Sequence, residues 1–142
     1  MNSSLQFKSL KSPIIFILLI ITTLFFLGCG NDYGEKLTYR KVNNLYYTSN
    51  VTEDEADSLG TYLLKNDFFS KEHGIDMRLD KKNGTYEVRF IVKKGLENDA
   101  DVINKYKIMC SELSNNVFNK KEVDIILCDD NFNDLRTVVA LY

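Results

Sequence analysis

From Leu45 to the C-terminus the spacing of apolar residues switches between a period of two and a period of about 3.6 residues, so the elements can be marked off in order. Leu45-Tyr46-Tyr47-Thr48 predicts a short strand. Thr52, with Glu55 three residues on, forms a capping box, and Val51 is placed to staple onto Ala56. Ala56, Leu59, Gly60, Leu63 and Leu64 then share one helical face, ending at Asn66-Asp67. Ile75, Met77 and Leu79 alternate with Asp76, Arg78 and Asp80, and beyond Asn83-Gly84 a second alternation runs Tyr86, Val88, Phe90, Val92. An Asn-Gly pair between alternating runs predicts a hairpin, with acids and arginines of the outer face pairing across the strands. Asp99 is placed as the N-cap of a second helix with Val102, Ile103, Tyr106, Met109, Cys110, Leu113 and Val117 as its stripe. Val123, Ile125 and Leu127 give a further strand, and Leu135 to Leu141 a last one.

The order β-α-β-β-α-β plus one strand predicts an α+β domain of the ferredoxin-like split type: an antiparallel sheet with two helices on one face. Its bounds are 44–142, and the polar stretch 29–43 reads as a tether.

Ahead of the tether, Lys8 and Lys11 precede an apolar run from Pro13 that ends in Phe26-Leu27-Gly28-Cys29. A basic start, an apolar middle and a small residue at the end make an export signal. With the cysteine directly after Gly28, the segment resembles a bacterial lipoprotein signal, residues 1–28, although Phe26 stands where that family usually has Leu. The resemblance implies that Cys29 carries a diacylglyceryl group and becomes the new N-terminus, holding the domain outside the cytoplasm on the membrane. Two or more acyl chains suffice, at about 0.8 kcal/mol per buried methylene. Asp32 is not directly after Cys29, where that family associates Asp with inner-membrane retention. An uncleaved signal anchor and a plain secretory signal are the alternatives; the run is shorter than the ~20 residues of a spanning helix. A second resemblance rests on Leu45-Tyr46-Tyr47-Thr48, Val51-Thr52 to Leu59-Gly60, and Val117-Phe118 through Leu127-Cys128-Asp129-Asp130. Over most of Leu45 to Val138 the chain is similar to an uncharacterised small bacterial envelope domain, which implies the compartment and transfers no site.

The signal holds two of the 18 basic residues and none of the 20 acidic ones, so the mature chain has 16 against 20, a charge of −4. With no basic run and no aromatic-plus-Arg platform, nucleic acid is a poor partner. Cys110 falls on a helix's apolar face and Cys128 out of phase with its strand's inward residues, which predicts two free thiols rather than a disulfide.

No catalytic constellation is visible. His73 stands alone in a loop with only Glu72 and Asp76 near it in sequence. Cys128-Asp129-Asp130, with Asp134, is the densest polar cluster; it lacks the alternate-residue spacing and Gly of a calcium loop, and an acidic turn accounts for it equally. As a metal set these three acids are weak candidates, and no cofactor is expected. Tyr46, Tyr47, Arg78, Arg89, Ile91 and Ile126 are the expected partner surface, a mixed apolar and charged sheet face outside the helices. Three functions remain open: a non-catalytic accessory module that docks an envelope protein on this face or on the last strand, a ligand site or enzyme at the Cys128 loop, and a self-associating module.

Overall fold

The computed structural model describes residues 33–69 and 71–140; the signal segment and Cys29 lie outside them. No helix among the described residues is long and apolar enough to cross a membrane. The elements are β1 (Glu35–Tyr39), β2 (Asn43–Tyr47), α1 (Glu53–Lys65), β3 (Asp76–Lys82), β4 (Thr85–Ile91), α2 (Ala100–Asn116), β5 (Val123–Cys128) and β6 (Asp134–Val139), with a short 3-10 turn Leu96–Asn98 before α2.

Local signals account for the helix starts. The Thr52 hydroxyl accepts from the Glu55 amide at 3.2 Å, and the Glu55 carboxylate accepts from the Thr52 amide at 3.0 Å. Glu55 also takes Lys81 Nζ at 2.9 Å and the Tyr86 hydroxyl, so the cap pins α1 to β3 and β4. Burial pushes its carboxyl up, but the bonds from Tyr86, Thr52 and Lys81 outweigh that and hold its pKa at about 2. Asp99 caps α2 by accepting from the amides of Asp101 and Val102.

The six strands form one sheet in chain order, β1 to β6. β1–β2, β3–β4 and β5–β6 are antiparallel, while β2–β3 and β4–β5 are parallel. The domain is α+β as expected, but the sheet is mixed, and the ferredoxin-like order does not hold. The physical reason is β1. That strand falls inside the stretch read as a tether, 29–43, and pairs with one edge of β2 from Glu35↔Tyr47 to Tyr39↔Asn43. In the ferredoxin-like order the first strand of the split unit would need both edges, for β4 and for β5. With one taken, only β3 is received, next door and in parallel.

All apolar strand residues facing the helices lie in one register, Leu45↔Met77, Leu79↔Val88, Val88↔Ile125 and Ile125↔Val138. They share one buried cluster with Leu59 and Leu63 of α1 and with Cys110 and Leu113 of α2. Both helices therefore cover the same face, as expected. The steps β2→β3 and β4→β5 run the same way across the sheet while β2 and β4 point oppositely. The two crossovers consequently have opposite hands, and one breaks the strong right-handed preference. β1 joins the core through Tyr39, which stacks on Phe69 at 5.2 Å and donates to Asp57 at 2.9 Å. Gly60 makes room for that ring: a Cβ there would lie 2.1 Å from Tyr39 Cζ.

The β3–β4 turn is the two-residue Asn83-Gly84, with φ of 52° and 92°, a type I′ geometry that matches strand twist. A Cβ on Gly84 would meet nothing within 4 Å. Gly84→Ala is thus expected to cost about 1 kcal/mol through backbone strain alone, with the register kept. Chemical denaturation measures the loss, and an unchanged midpoint would refute the assignment of strain to this position.

Candidate functional site

The sheet face away from the helices is built by the odd partners of the core strands. One row across it reads Lys36, Tyr46, Arg78, Arg89, Ile126, Thr137, each the direct neighbour of the next. The adjacent row places Asp80 opposite Glu87 and Glu87 opposite Asp124. The expected pairing of acids with arginines across the hairpin is therefore overturned. The two-residue turn aligns Lys82 with Thr85, and counting back from it sets Arg78 on Arg89 and Asp80 on Glu87. Like charges directly opposite one another are destabilising.

Ion pairs form along other lines. Arg89 reaches Glu87 on its own strand at 2.9 Å and Asp134 of β6 at 3.0 Å, with 12% of its side chain exposed. Asp80 accepts from Thr48, Asn50 and the Lys81 amide; burial raises its pKa, and these bonds bring it below the usual carboxylate range. Asp76 accepts from Asn44 at 2.8 Å. Arg78, in the middle of the face, has no carboxylate within ion-pair distance among the described residues. Its Nε and the Nη1 of Arg89 are buried without an acceptor among them.

Of the residues expected to form a partner surface, Tyr46, Arg78, Arg89 and Ile91 do share this face and are half-buried. Tyr47 does not. Adjacent strand residues point to opposite faces, so Tyr47 enters the core, with its hydroxyl donating to Glu35 at 2.9 Å. Ile126 lies on the face but is covered, together with Cys128, by a second small cluster. Phe132, at a left-handed φ of 59°, turns its ring back over β5 and meets Tyr33 at 5.0 Å, and Tyr33 meets Tyr46 at 5.6 Å. Neither the closed loop nor Tyr33 carries a periodic signal; the Phe amid the polar run 129–134 was the one local hint.

The Cys128 loop is committed elsewhere. Asp129 accepts from the amides of Asn131 and Asn133 and from the Asn133 side chain, bonds that lower its pKa and close the loop. Asp134 is turned to Arg89, and Asp130 is exposed. No group of three or more potential ligands among the described residues is arranged to hold a metal. The Cys128 thiol is buried and pushed up to about 12 by burial and then by Asp134; Cys110, on the other face, is pushed up to about 11 by burial. Both are free. A thiol so raised is a poor nucleophile at neutral pH. An open cleft of about 460 Å³ lies at the carboxyl ends of β4 and β5, lined by Lys93, Lys94, Asp129, Asp130 and Leu135 among others. Cys128 is not part of its lining. His73 is exposed in the segment before β3.

The two arginines of the central row thus differ in kind. Arg89→Gln is expected to destabilise the domain by about 2 kcal/mol, because it leaves the largely buried Glu87 without its cation and breaks the bond to the exposed Asp134. Arg78→Gln removes a like-charge contact and a buried donor without an acceptor, and no ion pair, so it is expected to leave stability unchanged or to raise it by up to about 1 kcal/mol. Equal losses in thermal or urea unfolding would contradict this division.

The model of the AF_1994_N family, described as a family N-terminal domain, matches residues 37–140. No curated protein and no solved structure matches the chain.

Proposed function

We propose that this chain, which belongs to the AF_1994_N family, is a lipid-anchored envelope protein whose domain docks a protein partner on the sheet face that the helices leave open. The observation that carries the reading is the half-buried strip Tyr46, Arg78, Arg89 and Ile91, in which aromatic and apolar surface lies beside charge that the domain does not fully compensate. An antiparallel or mixed sheet tolerates one wet face, but this one also carries, at Arg78, a charge with no ion-pair partner among the described residues. Edge strand β6 extends the same face with Val139, an exposed apolar side chain opposite Asp124. The anchor is the acylated Cys29 that the signal-like segment Phe26-Leu27-Gly28-Cys29 supplies, with the domain outside the cytoplasmic membrane.

Two measurements test this reading separately. Cys29→Ala is expected to abolish incorporation of labelled fatty acid and the detergent-dependent behaviour it confers; continued labelling would refute the anchor. For docking, a C-terminally tagged lipidated chain is crosslinked in intact cells and the captured proteins identified by mass spectrometry. One recurrent partner is expected, lost in Tyr46→Glu and kept in Ile108→Asp, a change at an exposed position of α2 on the covered side. No partner under efficient crosslinking, or loss through Ile108→Asp alone, would sink the docking reading. In that case the cleft between Lys93 and Asp130 becomes the leading site, since crevices at the carboxyl ends of parallel strands commonly hold ligands.

A further inference from the structure

We infer that the guanidinium group of Arg78, beside the already paired Arg89, is the receiving site for a single carboxylate, that of an Asp or Glu on the docking partner; the inference rests on the docking reading above and gives the partner's chemistry.

Three observations converge on it. Arg78 stands directly opposite Arg89, flanked by Tyr46 on its other side. Every carboxylate around it is engaged by another donor: Asp76 by Asn44, Asp80 by Thr48, Asn50 and Lys81, Glu87 and Asp134 by Arg89. Arg78 lies close enough to Asp80 to help lower its pKa, yet makes no ion pair among the described residues. What remains among the described residues is one half-buried guanidinium, that of Arg78, without an ion-pair partner; Arg78 Nε and Arg89 Nη1 also lack acceptors there, but both are shut off from solvent, so the outer nitrogens of Arg78 are the ones a carboxylate can reach. A planar carboxylate is the group whose two oxygens match guanidinium donors.

The surroundings choose among anions. The neighbouring row of Asp80, Glu87 and Asp124 is negative, and Asp124 already has its pKa raised, by burial first and then by Glu87 and Glu122. A dianionic phosphate would meet that repulsion twice over, whereas a single negative charge balances the single uncompensated arginine. On the other side lie the rings of Tyr46, Tyr33 and Phe132, with Ile91 beside them, a dry surface for apolar side chains next to the acid. The site therefore fits an acidic residue flanked by apolar ones on an exposed segment of a protein.

The test uses the full lipidated chain in micelles and reads the arginine Nε–H and backbone amide signals by NMR. The probes are acetyl-Leu-Asp-Leu-amide, its Asn counterpart and its phosphoserine counterpart. A saturable shift of the Arg78 Nε–H with the Asp peptide is expected, with no such response to the Asn peptide. In Arg78→Gln the affinity, read on the Ile91 amide, is expected to fall about tenfold or more. A matching response to the Asn peptide, tighter binding of the phosphoserine peptide, or unchanged affinity in Arg78→Gln would each overturn the inference. The two readings fail separately. A cellular partner captured equally by the wild type and Arg78→Gln would leave docking in place and remove the carboxylate site. Binding of the Asp peptide with no cellular partner would do the reverse.

Discussion

A β-strand has two edges and no more, and the rest of this structure follows from how they are filled. β1 takes one edge of β2 and β6 takes one edge of β5, each through a short antiparallel connection. β2 and β5 can then offer only one further edge apiece, and both helical crossovers must deliver the next strand to the neighbouring position. The sheet grows in chain order and becomes mixed. With both helices packed on one side, the crossovers take opposite hands, which is an uncommon arrangement. The large shared core on that side evidently outweighs it, because Leu45, Leu79, Val88, Ile125 and Leu127 are all fully buried there. Among the described residues the other face has no helix over it, only the small cluster around Phe132.

What that face carries is decided by a turn. Asn83 and Gly84 both have positive φ, so the β3–β4 loop is two residues long and its register admits no slip without turning the core residues outward. Arginine then meets arginine and acid meets acid. Arg89 escapes along its strand to Glu87 and across to Asp134, but Arg78 has no comparable exit because its near carboxylates already hold other donors. Charge pattern and backbone geometry are in local conflict here while they agree elsewhere in the domain. Such conflicts are where functional surfaces are to be sought, since a chain selected for stability alone would remove them by a single substitution.

Much of this was legible in the residues themselves, and the failures have definite causes. Thr52 and Glu55, Asp99, and the Asn83-Gly84 pair each act within a few residues of where they stand, and each did what its type and spacing imply. The strand Glu35–Tyr39 was missed because only Leu37 and Tyr39 are apolar in it, and its place depends on Gly60, more than twenty residues away, leaving space for a ring. Strand order was misjudged because edge occupancy is not a local property, and the missing strand was the one that settled it. The outer face was half right. Its alternation is periodic and was read correctly for Tyr46, Arg78, Arg89 and Ile91, but Tyr47 cannot share a face with Tyr46, and Ile126 is hidden by Phe132, whose backbone conformation no pattern announces.

The two sides of the sheet also divide the labour of stability. On the covered side Glu55 holds α1 to β3 and β4 while the apolar cluster supplies the bulk of the burial. On the open side the only apolar cluster among the described residues is the small one around Phe132, set beside Arg78 opposite Arg89 and Asp80 opposite Glu87. A group that neutralised Arg78 would act on the folded state alone, because the rows exist only once the strands are paired. Binding of such a group would therefore be coupled to stability by mass action, with no movement of the backbone required.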